Sequence, residues 1–502
     1  MPAVVAAATL LLASSSVGGP RPYAEPALRT QAALLSVGDV VVPVGPDQEV
    51  ARFEGSNVTA AVVSAAGEDV RAAAERHAAL EALAEDQRDW LAAGRVPGPE
   101  RYADMARQAL LDLDTLTLDN GAVLAGPTAA WLYSWPRDAS FVAVALARTG
   151  HTDDAATILG HLARVQEADG TFQARYLPDE SGVPDDRGTQ LDGGAWYLWA
   201  AAEWYAAADD DDARAATLDA LAPSLTRALA AIEDAIDPVT GMPRPSPDYW
   251  EVRETRTTLG VVAPMLLGAR AAQELAQALG TTAPGTAAPG TAAPGTAAPG
   301  TTPPGTTPPG TTPPGTTPPG TTPPGTTPPG TAPLGTTALG VRTAWASALG
   351  TRAASVEALL DRAVATRFAP LGYPRHDGGH VRDAAVAFLM PPFAPGSTDV
   401  TAAWLDAAGG MARPGGGLAP GAGWKADGIS WTPQTALFAL TAAGAGRLDD
   451  ARSRLDWLDA HRTDAGSLPE KVLWDGRPAD LAPLAWTASL VLLTLDELDA
   501  QD

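Results

Sequence analysis

Four short stretches of this chain set charged or amide side chains in loops near aromatic ones, each beside an expected helix end. The first is Trp131-Leu132-Tyr133-Ser134-Trp135-Pro136-Arg137-Asp138, and the second is Thr189-Gln190-Leu191-Asp192-Gly193. The third is Pro247-Asp248-Tyr249-Trp250-Glu251-Val252-Arg253-Glu254. The fourth is Gly466-Ser467-Leu468-Pro469-Glu470-Lys471-Val472-Leu473-Trp474. Splitting an acetal takes two carboxyl groups: one protonates the leaving oxygen, and the other attacks carbon or activates water. The candidates are the acidic residues of these stretches, Glu251 and Glu470 among them. Each residue also has a plainer reading. Arg137 and Asp138 could cap a helix start, Glu251 could be a first-turn acid favoured by the helix dipole, and Glu470 could pair with Lys471 in a loop. The chain holds 14 Trp, and most are expected in the core.

These stretches need a scaffold that brings distant loops together. From about residue 100 the chain reads as helix after helix, with Gly, Pro and Asp between. The expected helices are 100–114, 137–149, 152–168, 192–208, 212–235, 255–279, 341–367, 382–390, 398–411, 432–444, 447–462 and 482–499. Two corners repeat one plan, Thr149-Gly150-His151-Thr152-Asp153-Asp154 and Ala445-Gly446-Arg447-Leu448-Asp449-Asp450. In each, Gly ends one helix and Asp suits the start of the next. Twelve helices match an (α/α)6 toroid, so the expected class is all-α with a short lead-in over 25–98. That lead-in has Val-rich runs that read as strands, then a helix ending near Ala93. The toroid is expected over 99–502. From 281 to 340 a Thr/Pro/Gly pentapeptide repeat replaces helical pattern and reads as a disordered insert, either tolerated or a spacer toward a polymer.

Composition narrows the partners. A net charge of -25 argues against binding a phosphate backbone and fits a neutral substrate. There are no Cys, so no disulfide, thiolate metal site or Cys nucleophile is possible. The 6 His form no HExxH spacing, and no cofactor or metal is expected. Val4 to Leu12 is a short apolar run followed by small residues, similar to a secretory signal over 1–24. A basic start is missing, the first basic residue being Arg21. A secreted or cell-surface protein is the expectation, a cytoplasmic one if that segment is not a signal. No other run reaches the length of a membrane span.

In this order the four stretches resemble the glucoamylase family of glycoside hydrolases, family fifteen in the usual classification, over roughly residues 100 to 500. Trp135-Pro136-Arg137-Asp138 is similar to the family's Trp-x-Arg-Asp, whose Arg and Asp hydrogen-bond the terminal glucose. Asp248-Tyr249-Trp250-Glu251 resembles the segment that carries the general acid, which would be Glu251. Leu468-Pro469-Glu470-Lys471-Val472 resembles the segment that carries the base, which would be Glu470. Trp486 falls where the family has an active-site Trp, and Gln190 and Asp192 join Trp135 and Trp250 as substrate-binding candidates. The resemblance implies an exo-acting, inverting hydrolase of α-glucans or α-glucosides, with the carboxyls about 6.5–9.5 Å apart. Glu251 would be kept protonated by burial or a neighbouring carboxylate, with Glu254 on its helix face as a contributor. Lys471 departs from the family, which has Gln there. Rival readings are a trehalose- or isomaltose-type α-glucosidase, a phosphorolytic enzyme, a glycan-binding wall scaffold, and an isoprenoid-type toroid that would need metal ligands this chain lacks.

Overall fold

The computed structural model describes residues 23–60, 70–281 and 334–501. The expected signal segment therefore lies outside the described residues, except for Tyr23 and Ala24. Most of the pentapeptide repeat lies outside them too.

After the lead-in helix α1 (Val70–Ala93), the chain alternates outer and inner helices. The outer ones are α2 (Ala103–Leu116), α4 (Thr152–Val165), α6 (Asp211–Ala235), α8 (Leu334–Ala363), α9 (Thr398–Met411) and α11 (Leu448–Ala460). The inner ones are α3 (Pro136–Arg148), α5 (Gly193–Ala207), α7 (Leu259–Thr281), α10 (Thr432–Gly444) and α12 (Ala485–Asp499), with a short 3-10 helix at Ala384–Leu389. The inner elements close a ring: α3 packs on α5, α5 on α7, α7 on the 3-10 helix, that helix on α10, α10 on α12, and α12 back on α3. This is the (α/α)6 toroid expected from the sequence.

Composition sorts the two rings. The run Gly193 to Ala201 at the start of α5 is buried on every side, as an inner helix must be. Helix α11 buries only Ala451, Leu455 and Leu458, one stripe facing the ring. Two inner helices approach closely at one glycine: a Cβ on Gly268 of α7 would lie 2.7 Å from the Ala195 Cα of α5. Both expected corners form, with Gly150 at φ 93° and Gly446 at φ 69°. That left-handed backbone is open to Gly at little cost.

Boundaries differ from expectation at several places, three of them with consequences. The stretch at 382–390 is a 3-10 helix over Ala384–Leu389 only, entered through Asp383, whose side chain accepts from the Ala385 N–H. Helix α7 starts at Leu259 rather than 255, because Thr258 is turned to donate its hydroxyl to Asp248 at 2.8 Å. Helix α8 begins at Leu334, so the last part of the expected insert is helical.

The junction of α7 with residues 282–333 has a functional consequence. Helix α7 has 23 residues, about 34 Å at 1.5 Å per residue, so Thr281 lies far from the first turns of the inner helices. Replacing 282–333 by a short Gly/Ser link is expected to leave any chemistry at those first turns unchanged. Stability should rise by no more than about 2 kcal/mol from shorter loop closure. A urea titration and an activity assay on the shortened chain check this.

The lead-in is stitched to the toroid. Strands β1 (Ala32–Ser36) and β2 (Val40–Val44) pair antiparallel. Buried Asn57 donates to Asp112 of α2 at 3.0 Å, and the Gln87 side chain of α1 accepts from the Asn57 N–H at 2.5 Å. Upstream of β1 the backbone runs beside 480–482: Asp480 N–H donates to Ala27 O at 3.1 Å, and Ala482 N–H to Thr30 O at 3.1 Å.

Candidate active site

The first turns of the inner helices surround a cavity of about 240 Å³. Helix α3 supplies Trp135, Arg137 and Asp138. The segment before α7 supplies Tyr249, Trp250 and Glu251. Helix α10 brings Trp431, Pro433 and Gln434, and α12 brings Leu484 and Trp486. Glu470 enters between them, and Arg187, Trp131 and Trp424 complete the wall from loops. All four chemically marked stretches thus converge, although the second does so indirectly.

Arg137 and Asp138 are both buried and form an ion pair, Nε to Oδ1 at 3.0 Å. The guanidinium stands over the Trp486 ring, 4.7 Å from its centroid, and its Nη1 has no hydrogen-bond partner among the described residues. Burial raises Asp138, with Arg137 pulling the other way. Gln190 and Asp192 do not line the cavity. Asp192 sits behind Arg137 and accepts from the Trp196 indole at 3.0 Å. Burial pushes it up to about 6 against the pull of Arg137. Gln190 is buried in a two-residue ladder, where strands β3 (Phe172–Gln173) and β4 (Thr189–Gln190) pair. The expected direct contact with substrate is therefore not supported by this cavity, whose lining includes neither residue; Asp192 acts on Arg137 only through its charge.

Glu251 lies in a loop rather than on a helix, in a left-handed conformation with φ at 54°. A side chain other than Gly or Asn is costly there, and such strain collects at functional positions. A buried network holds the loop. Arg375 binds Asp248 at 2.8 Å, Glu254 at 2.8 Å and Asp383 at 2.6 Å, and its guanidinium lies 3.9 Å from the Trp250 ring centroid. Glu254 is therefore committed to Arg375, and to His376 at 2.8 Å; the expected contact with Glu251 does not form. The groups on Glu251 are of another kind. The Trp135 indole donates to Oε1 at 2.5 Å, and Arg187 ion-pairs with Oε2. Arg187 also touches Asp185 at 3.1 Å.

Glu470 precedes a three-stranded ladder of β5 (Ser430–Trp431), β6 (Lys471–Val472) and β7 (Pro478–Ala479). Its N–H donates to Leu481 O at 2.8 Å, and its carbonyl accepts from the Thr432 N–H at 3.1 Å. Both ends of the residue are thus pinned. The carboxyl is 8% exposed, and burial pushes it up to about 7, opposed by Lys471 and reinforced by Asp480. Burial therefore makes Glu470 a raised carboxyl of this cavity.

Around the cavity, the buried indole N–H groups of Trp250, Trp424, Trp431 and Trp486 and the Gln434 Oε1 make no hydrogen bond among the described residues. Buried polar atoms are normally satisfied, so these stand out among the residues of the wall. Sequence reading left Arg187, Trp424, Trp431 and Gln434 unassigned. The tryptophans of Trp424-Lys425-Ala426-Asp427-Gly428-Ile429-Ser430-Trp431 carried a signal, aromatics around charge in a loop; Arg187 carried none. Among the described residues no group of three or more His, Asp or Glu is placed to hold a metal ion, and no helix is long and apolar enough to cross a membrane.

No protein-family model matches the sequence, and no curated protein matches it. Solved structures do match. A glycosidase aligns with a TM-score of 0.56 at 20% identity, covering 79% of this chain and 96% of that one. The glucoamylase from Saccharomycopsis fibuligera aligns at 0.52 and 12% identity, covering 76% and 89%. A bacterial glucoamylase complexed with acarbose aligns at 0.55 and 14% identity, covering 86% of this chain and 62% of that one. At these identities the likeness is one of architecture, and the chain has the α/α toroid fold of the glucoamylase-type glycosidases.

Proposed function

We propose that the protein is a glycoside hydrolase that releases glucose from the non-reducing end of an α-glucan or α-glucoside with inversion. The observation that carries this reading is the convergence of Glu251 and Glu470, from loops far apart in sequence, on one tryptophan-walled cavity of about 240 Å³. That volume is below the ~300–1,000 Å³ of sites for drug-sized ligands, which favours one ring held at its end over a chain threaded through. Arg137 and Asp138 grip that terminal ring. Glu251 passes its proton to the glycosidic oxygen as the carbon–oxygen bond breaks. Water attacks the anomeric carbon from the other face and gives its proton to Glu470. One water is consumed, and the sugar leaves as the β-anomer.

Both oxygens of Glu251 are engaged as acceptors, by Trp135 and Arg187. The acid role needs one oxygen free for a proton. Arg187 must therefore give way to the entering leaving group, and Asp185 is its partner when it does. A second reading exchanges the two roles, and the raised Glu470 favours it, since a general acid must hold its proton at working pH. Lys471 speaks against the exchange: its ammonium lies 3.3 Å from the Glu470 carboxyl and favours the ionised form.

The base assignment sets the pH response. A carboxyl lifted to about 7 by burial is protonated below that pH and accepts no proton from water. As a base, Glu470 should make kcat/KM climb as pH rises through about 7 and fall away below it. A limb near pH 4.5, the ordinary carboxyl range, would remove that link.

The reading itself is tested by incubation with α-1,4-, α-1,6- and α,α-1,1-linked glucosides, following glucose and its anomeric form. Initial release of the α-anomer sinks inversion. No release from any of them favours a glycan-binding protein without catalysis. The linkage hydrolysed separates a glucoamylase from an isomaltose- or trehalose-type enzyme. A strict need for phosphate, with a glucose phosphate as product, would indicate phosphorolysis.

A further inference from the structure

Behind Glu470 lies a chain of alternating charge that the proposed reaction does not use. Lys471 Nζ is 3.3 Å from Glu470 Oε2 and 2.6 Å from Asp480 Oδ2. Arg29 Nε, from the lead-in, is 3.1 Å from Asp480 Oδ1. Strand register puts Lys471 between Trp431 and Ala479, with Trp431 paired across the ladder. The ammonium sits 4.3 Å from the centroid of the Trp431 ring, itself a wall of the cavity. Lys471 is mostly buried, and its contacts on two carboxylates and an indole face leave it little freedom. Asp480 is held in a left-handed conformation, φ 67°, and its backbone is bonded to the lead-in from both sides through Ala27 and Arg29.

We propose that Lys471 is a positioning residue that holds Glu470 in place and in its ionised form, and that the lead-in, through Arg29 and Asp480, holds Lys471 there. The inference rests on Glu470 being the base. A lone buried carboxylate would retain its proton too strongly to accept another from water. A buried ammonium 3.3 Å from one oxygen opposes that pull. Asp480 takes up the remaining charge of the lysine, and Arg29 that of Asp480, so the four charges sum to zero. The charged groups against Glu470 are Lys471 and Asp480; across the cavity stand Arg137, Asp138, Arg187 and Glu251. Among these, Lys471 alone forms an ion pair with Glu470 among the described residues.

The test is the pH profile of kcat/KM on 4-nitrophenyl α-D-glucoside, for wild type, Lys471→Met, Lys471→Arg and Arg29→Gln. Lys471→Met is expected to move the acidic limb up by about 1–3 pH units, the scale of one opposite charge at contact. Lys471→Arg should bring the limb back toward wild type. Arg29→Gln alters a half-exposed side chain, so it should fold even if the lysine variants do not. It should move the limb the same way by less. Limbs that coincide with wild type in both Lys471→Met and Arg29→Gln overturn the proposal. So does an equal loss of kcat at every pH with the limb unmoved, which is what a purely structural lysine would give. Glu470→Gln separates the two levels: if it keeps full activity, the base reading itself fails. If it is dead while the limbs stay put, only the role of Lys471 fails.

Discussion

Glu470→Gln should lower kcat/KM by about 10²–10⁴-fold on every glucoside, whatever its leaving group. Glu251→Gln should lose as much on maltose and far less on α-glucosyl fluoride, because fluoride departs without a proton. The asymmetry identifies which carboxyl is the acid. It matters here because Glu470 is raised by burial, while Glu251 is ion-paired with Arg187. If the fluoride instead rescues Glu470→Gln, the roles are exchanged. If both variants keep their activity on all substrates, neither residue is catalytic and the cavity serves binding. Glutamine keeps the shape of each side chain, so a loss cannot be put down to a collapsed wall.

Arg375→Met is expected to cost about 3–5 kcal/mol of folding stability, the scale for removing one partner from a buried ion network. Three carboxylates, those of Asp248, Glu254 and Asp383, would lose their shared cation, and Asp248 and Asp383 are all but fully buried. Activity should fall too, since the same guanidinium backs the Trp250 ring and steadies the strained turn at Glu251. Lysine is a poor substitute, because a single ammonium cannot span the fork that reaches three acceptors. Denaturant titration of Arg375→Met and Arg375→Lys checks this. A loss under about 1 kcal/mol for the methionine variant would mean that the carboxylates find water or protons instead.

The toroid was legible because its helices obey a simple rule of burial. Inner helices such as α5 are apolar all round, outer ones such as α11 are striped, and the Gly150 and Gly446 corners mark where one becomes the other. The inner element at Ala384–Leu389 was overcalled, since a short apolar run does not reveal that an aspartate cap and an early exit leave room only for a 3-10 turn. At the site, Arg137, Asp138, Trp250, Glu251, Glu470 and Trp486 were found because motif and loop context mark them. Glu254 was misplaced because the helix expected from 255 starts only at Leu259, leaving Glu254 in a loop that reaches Arg375. Arg187 was missed for a different reason: it belongs to a loop whose path over Trp135 depends on Asp185 and Arg175 rather than on any periodicity. Asp192 does not line the cavity, because spacing cannot tell a side chain that faces a cavity from one turned away from it.

The stitching of Thr30 to Ala482 spans 452 positions, and it governs how this protein comes into being. Contacts so distant in sequence form late, after nearby pairs have condensed. Until α12 packs against α2 and α3, the toroid is an open arc, and Asp480 has no lead-in backbone to bond. A chain growing on a ribosome would therefore display Arg137, Trp250 and Glu251 for some time with nothing opposite them. Hydrolytic competence should arrive abruptly, at the final docking step, rather than building up as helices accumulate.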